Sequence, residues 1–264
     1  METLIGKHHN SKEYQKVVQM WKSSHCTSID ANGGQTFFSP AVQHVLSQSP
    51  CVTWILDIRT QKFDFISNNT VDFFGYDTAH FLSGGHGFHE RIKHPDDTLN
   101  TWKLVYNIWN ALIAIPSLSR PNYKFSYDYR ILRPDGRVVR ILEQNAVLQQ
   151  DDNGNITHLL GVCNDITHWK KSGRQLASLT STVDQKHYLF HSENTSAIKL
   201  QSVLSKRELQ IVKLMSEGCS SKHIADKLFI SFHTVNTHRQ KMIEKTNTRN
   251  SGGLIQFAIF NGLI

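Results

Sequence analysis

Between Ser205 and Ser231 the helix-boundary signals come so close together that only short helices joined by tight turns can satisfy them. Ser205-Lys206-Arg207-Glu208 is a capping box, in which the Ser205 hydroxyl reaches the Glu208 amide and the Glu208 carboxylate reaches back to the Ser205 amide. Leu204 and Leu209 flank it at staple positions. Leu209, Val212, Leu214 and Met215 supply the apolar side of the helix, and Gly218 stops it as a C-terminal glycine does. A second helix begins after Ser220 with Ile224, Ala225 and Leu228 inward; Ser231 then caps a third that runs to about Thr246. Two short helices joined by a brief turn, the second capped by serine, have the layout of a helix-turn-helix.

At 100° per residue, Phe232, Val235, Met242 and Ile243 of the third helix fall on one side and are expected to face the core. His233, Thr237, Gln240 and Lys241 fall opposite, flanked by Thr234 and Asn236. That outer face is polar, mostly uncharged and rich in donors and acceptors, which suits the edges of bases in a major groove. Lys222, Arg239, Lys241 and Lys245 are placed to add charge for phosphates. The charge of the whole chain agrees: residues 199–264 hold ten Lys and Arg against four Asp and Glu, so +6 of the net +7 lies there. A basic end on a near-neutral body points to a polyanionic partner, though charge alone leaves DNA, RNA and anionic lipid open.

Residues 201–264 resemble the DNA-binding domain of LuxR-type response regulators. The resemblance is carried by Leu204, Ser205, Arg207-Glu208, Gly218, Ser220, Lys222, Ile224-Ala225, Leu228, Ile230-Ser231, Thr234-Val235, His238, Lys245, Asn250 and the terminal Asn261-Gly262-Leu263-Ile264. It implies a four-helix domain whose third helix enters the major groove and whose fourth mediates dimerisation on DNA. Asn236, Thr237 and Gln240 would then read bases, while Lys222, Thr234 and Lys241 hold the backbone. The implied partners are double-stranded promoter DNA and a second copy of the chain, with RNA polymerase as a further one. This chain departs from the family at Asn236, where Lys is usual, and at Thr246 and Thr248, where Leu and Val are usual. Gly252-Gly253 weakens the start of the fourth helix, each glycine costing up to about 1 kcal/mol relative to alanine. A small bundle with a solvated basic face, and a domain that meets DNA only as part of RNA polymerase, are the alternatives.

Upstream the period changes from helical to two. Val52 to Ile58 and Phe63 to Ser67 alternate and form a hairpin across Thr60-Gln61-Lys62. Phe37 to Leu46 and Thr70 to Tyr76 are short helical pieces, and Thr98 to Ile115 is a longer amphipathic helix. Three more strands follow, from Tyr123, from Val138 and over Ile156 to Ile166, with Asp135-Gly136 and Asp152-Asn153-Gly154 at the turns. The stretch 37–170 resembles a PAS domain of the PAS-3 type through Tyr129, Arg133, Asp135-Gly136, Gly161-Val162, Asp165-Ile166-Thr167 and the loop His94-Pro95-Asp96-Asp97. The expected fold is α+β: a PAS-like, five-stranded antiparallel sheet with flanking helices, then an all-α four-helix domain. The expected parts are an N-terminal helix and linker (1–36), the sensor (37–170), a linker helix (171–200) suggested by Trp169, Leu176 and Val183 at heptad spacing, and the helix-turn-helix domain (201–264).

PAS domains of this kind bind a small molecule inside the sheet or none at all. Trp54, Trp102 and Trp109 could line such a pocket, with core packing as the plainer role. A flavin photosensor would have a cysteine in an Asn-Cys-Arg context where Asn68-Asn69-Thr70-Val71-Asp72 stands, and a haem sensor a histidine on the long helix; neither is present, so no cofactor is expected and the ligand is unknown. His80, His86, His89 and His94 form the densest histidine cluster. Gly84, Gly85 and Gly87 mark it as a loop, so these are expected to be solvated side chains rather than metal ligands. No hydrolase elbow, phosphate loop, zincin pattern, kinase or cyclase segment, or receiver domain is present, which excludes the common enzyme classes. No run approaches the roughly 18 apolar residues of a membrane helix, no signal peptide is evident, and the four dispersed cysteines read as reduced thiols in a cytoplasmic protein. The expectation is a transcription regulator whose sensor modulates promoter binding; a non-enzymatic adaptor, with a docking surface and a basic module for protein or RNA, is the alternative.

Overall fold

Period-two alternation becomes strand at every place it was expected between 52 and 165. The computed structural model describes residues 12–23, 37–168, 170, 175–183, 187–191, 204–246, 248–260 and 263–264. By contacts the chain divides into two units, the first running to Thr182 and including Phe190–Ala197, the second comprising Val183–Leu189 and Ile198–Ile264.

The sheet is built of strands β1 (Val52–Asp57), β2 (Lys62–Ile66), β3 (Tyr123–Leu132), β4 (Val138–Gln150), β5 (Ile156–Asp165), β6 (Leu176–Ser181) and β7 (His187–His191), of which β1 to β6 belong to the first unit. Their order across the sheet is β2-β1-β5-β4-β3-β6-β7. Helices α1 (Lys12–Ser23), α2 (Pro40–Ser47), α3 (Thr70–Phe74), α4 (Thr78–Ile92) and α5 (Pro95–Ile113) accompany it. The β3–β4 hairpin closes on Gly136, whose φ of 81° suits glycine. At Trp54↔Gly161 in the β1–β5 register, a Cβ on Gly161 would lie 2.1 Å from the Trp54 ring, so only glycine lets the indole lie flat there.

The sheet has seven strands rather than the expected five, and 171–200 is not a helix where it is described. Leu176–Ser181 pairs antiparallel with β3 (Ser126↔Ser178, Phe125↔Leu179), burying Ala177 and Leu179. The seven-residue spacing of Leu176 and Val183 is therefore incidental to a strand; Trp169 lies outside the described residues. The glycine-marked loop around His86 is also a helix. α4 is kinked at Gly85, where φ is 56° and a Cβ would meet the Gln61 carbonyl at 2.5 Å. The glycine permits the kink, and His86 N–H bonds that same carbonyl at 2.8 Å.

The second unit is α6 (Lys206–Ser216), α7 (Ser221–Leu228), α8 (Phe232–Thr246) and α9 (Ser251–Phe260). The capping box forms as expected, with Glu208 N–H to Ser205 Oγ at 3.2 Å and Ser205 N–H to Glu208 Oε2 at 2.7 Å. Gly218 ends α6 at φ 83°, and Ser220 caps α7 through His223 N–H. Leu204, Ile211, Val212, Ile224, Val235, Met242, Leu254 and Ala258 make the core. Asn250 accepts from Gly253 N–H at 2.9 Å, which starts α9 despite its two glycines. Among the described residues no helix is long and apolar enough to cross a membrane.

Candidate nucleic-acid interface and sensor cavity

α8 is held by its buried side. Val235 and Met242 are fully buried, and the hydroxyl of Thr246 bonds the Met242 carbonyl at 2.7 Å and Thr248 Oγ1 at 3.0 Å, so the two threonines satisfy each other. Ser231 Oγ accepts from Thr234 N–H at 3.0 Å and pairs with the Thr234 hydroxyl at 2.8 Å, fixing the helix start. Thr237, Gln240 and Lys241 are exposed, while Asn236 and Thr234 are half-buried. Thr237 Oγ1 donates to the His233 carbonyl at 3.0 Å and Gln240 Nε2 to Glu244 Oε1 at 2.9 Å, so both have local partners to exchange on binding.

The four cations expected to serve phosphates separate into two kinds. Lys245 Nζ lies 2.8 and 2.9 Å from the Glu208 carboxylate oxygens, and Arg239 donates to Ser221 Oγ and to Ser251 Oγ, bracing α8 against α7 and α9. Lys222 and Lys241 are exposed and have no ion-pair or hydrogen-bond partner among the described residues. A second departure concerns Phe232. It was expected in the core with Val235 and Met242, yet it is 56 % exposed at the first position of α8.

In the first unit, Trp54, Trp102 and Trp109 do come together. With Trp21, His86, Tyr127, Glu143 and Asn145 they line a cavity of about 20 Å³, the size of a single water molecule. Trp21 comes from α1, whose indole meets the Trp102 and Trp109 rings edge-on at 6.3 and 5.8 Å. The indole nitrogens of Trp21 and Trp109 and both side-chain polar atoms of Asn145 are buried without a hydrogen-bond partner among the described residues. An interior that leaves such groups unmatched is costly, so the cavity wall offers two donors and an amide to an occupant. Tyr14, Val17, Val18 and Trp21 have the spacing of one helical face, but nothing in the sequence ties that face to the sheet, and nothing in it singles out Glu143 or Asn145.

Beside the cavity lies a buried polar chain. Glu90 accepts from Trp102 Nε1 at 2.6 Å and pairs with Lys93 Nζ at 2.6 Å, and Lys93 lies 4.6 Å above the Tyr129 ring. Tyr129 and Tyr127 each donate to Glu143, at 2.6 and 2.5 Å. Burial first and the Glu143 charge second push both phenols well above their ordinary value. Because the Tyr129 proton goes to Glu143, His89 Nε2, 2.8 Å away, is the donor of that contact. Burial, then Lys93 and His86, hold His89 well below its usual range, so it is neutral. His86 and His89 are thus interior residues, correcting the expectation of a solvated loop; His80 is exposed and His94 caps α5 through Asp96 N–H at 3.3 Å. His86, His89 and Glu90 offer ligand atoms within 4.8 Å of one another, but the ammonium of Lys93 already matches the carboxylate and would repel a divalent ion.

Comparison with known proteins matches residues 202–258 to the bacterial regulatory proteins of the luxR family and residues 63–163 to the PAS fold. The oxygen regulatory protein NreC of Staphylococcus haemolyticus is 34% identical over 85 residues, 32% of this chain and 39% of its own length. The virulence-factor transcription regulator BvgA of Bordetella pertussis is 42% identical over 64 residues, 24% of this chain and 31% of its own. The chain therefore spans only about a third of the length of these curated relatives. Among solved structures, the VqmA dimer of Vibrio cholerae in the absence of target DNA superposes with a TM-score of 0.36 at 16% identity, covering 86% of this chain and 89% of that one. A superposition that loose carries no argument.

Proposed function

We propose that this chain, with a luxR-family module at 202–258 and a PAS fold at 63–163, is a non-enzymatic transcription regulator that binds promoter DNA through α8 and acts in the cytoplasm. The observation that supports this best is the division of labour on the second unit. Its core and two of its cations are spent on holding α8, while Thr237, Gln240, Lys241 and Lys222 stand on the surface. Asn236, Thr237 and Gln240 read bases; Lys222, Thr234 and Lys241 hold phosphates. The partners are duplex DNA and a second copy of the chain on it, with RNA polymerase as the machinery addressed. The sensor is the first unit: its interior at Trp54, Trp102 and Trp109, with Trp21 and Asn145, has room for one water and must widen to admit a signal molecule, and that widening shifts the population of states competent for DNA.

The test is DNA binding by the full chain as a function of salt. Removing Lys222 or Lys241 lowers the slope of log affinity against log salt by about 0.9 each and weakens all sequences alike. Thr237→Ala and Gln240→Ala narrow the gap between operator and competitor DNA. Arg239→Ala and Lys245→Ala lower helix stability instead. Salt-insensitive binding, or no preference for any duplex, would overturn the reading.

A further inference from the structure

Two phenylalanines lie where neither the backbone nor the core accounts for them. Phe229 ends α7 in the left-handed region (φ 53°, ψ 46°), a conformation that glycine or asparagine takes at less cost. The turn it makes is well formed: Ile230 N–H reaches the Ala225 carbonyl at 3.0 Å, and Arg207 Nη2 caps the Leu228 carbonyl at 2.5 Å. The Phe229 side chain adds nothing to this, since it is 95 % exposed. Phe232, three residues on, is 56 % exposed at the first position of α8. A strained aromatic on the surface points to a partner outside the chain.

Position identifies the partner. Phe232 and Asn236 are four residues apart on α8 and so share one helical face, with Phe232 a turn nearer the N-terminus, the end of a recognition helix that approaches base edges. The apolar feature of a major groove is the thymine 5-methyl group, and an aromatic side chain is a recognised contact for it. We propose that Phe232, supported by Phe229, is a specificity-determining residue that reads thymine methyl groups beside the base read by Asn236. This rests on the DNA-binding reading above and extends it from hydrogen-bond readout to apolar readout.

The experiment selects bound duplexes from a random library with the full chain, then replaces each thymine of the selected site in turn by deoxyuridine, which removes only the methyl group. The expected result is a loss of about fourfold at one or two positions of each half-site, the scale of one buried methyl. In Phe232→Ala the thymine and uracil sites bind equally at those positions, whereas Phe232→Leu keeps part of the difference. Phe229→Asn, which suits the left-handed backbone, reduces the penalty without loss of fold. An enriched site with no uracil penalty, or one that persists in Phe232→Ala, overturns the inference and leaves the DNA reading intact. Variants that bind operator and its uracil forms as the parent does, yet fail to support transcription by purified polymerase, would assign the pair to a protein surface and also overturn it. A library that yields no enriched sequence overturns the DNA reading and the inference together.

Discussion

Glu208 meets two demands with one carboxylate. It accepts the Ser205 amide, which completes the capping box of α6, and pairs with Lys245 of α8, both while buried. Burial pushes its pKa up, but the bonds from Lys245 and Ser205 outweigh burial and hold it below the ordinary glutamate value. The sign follows: a folded-state pKa below the unfolded one stabilises the fold above the unfolded value, and that stability drains away as pH falls through the folded one. Glu208→Ala is expected to cost about 1–3 kcal/mol, from the lost cap and an unmatched buried amide. Glu208→Gln keeps an acceptor for Ser205 and costs less, and it removes this part of the acid destabilisation. Denaturant unfolding of the full chain, followed by helical circular dichroism at neutral pH and at pH below the ordinary glutamate value, separates the two.

At the scale of elements, what the sequence shows clearly is what is local. The capping box, the Ser220 and Ser231 caps and the turn at Asp135-Gly136 each depend on a few adjacent residues, and each stands where it was expected. The five strands from 52 to 165 follow from alternation together with the turn signals between them. The misses involve partners far along the chain. β6 is strand because β3 has a free edge for it, and Leu176 to Ser181 hold no strong alternation of their own. α4 survives three glycines because the Gln61 carbonyl takes the His86 amide at its kink. Phe232 has core periodicity but, at the first position of α8, is exposed. The candidate site was legible in the same way: α8's outer face could be read off a helical wheel, whereas the commitment of Arg239 and Lys245 to Ser221, Ser251 and Glu208 required the packing of α6, α7 and α9. Gly161 gives this a measurable form. It faces Trp54 across the β1–β5 pair, and a methyl group there overlaps the indole. Gly161→Ala is expected to cost about 1–3 kcal/mol and to shift tryptophan emission, because Trp54 must move and takes the cavity wall with it. Unchanged emission and stability would show that the ring has room the register denies.

At the scale of the whole molecule, the distribution of tryptophan supplies a direct test of coupling. All five tryptophans lie at or before position 169, and four of them, Trp21, Trp54, Trp102 and Trp109, line one cavity. The core of the second unit draws only on residues from 204 onward and holds none. Operator DNA bound at α8 therefore meets no tryptophan of that module's core, and in a Trp169→Phe background a change in intrinsic emission on adding it reports the four tryptophans of the cavity. If the sensor shifts DNA affinity through a population of states, linkage requires DNA to shift the sensor by the same factor, and couplings of this type run at about 1–3 kcal/mol, or 5- to 150-fold. The expected outcome is a saturable change in tryptophan emission with operator, absent with non-specific duplex at the same salt and absent in a Lys222→Ala, Lys241→Ala double variant whose DNA affinity is lost. Emission that stays constant through saturating operator, while binding is confirmed by mobility shift, would mean that the cavity and α8 belong to modules joined by chain and not by energy.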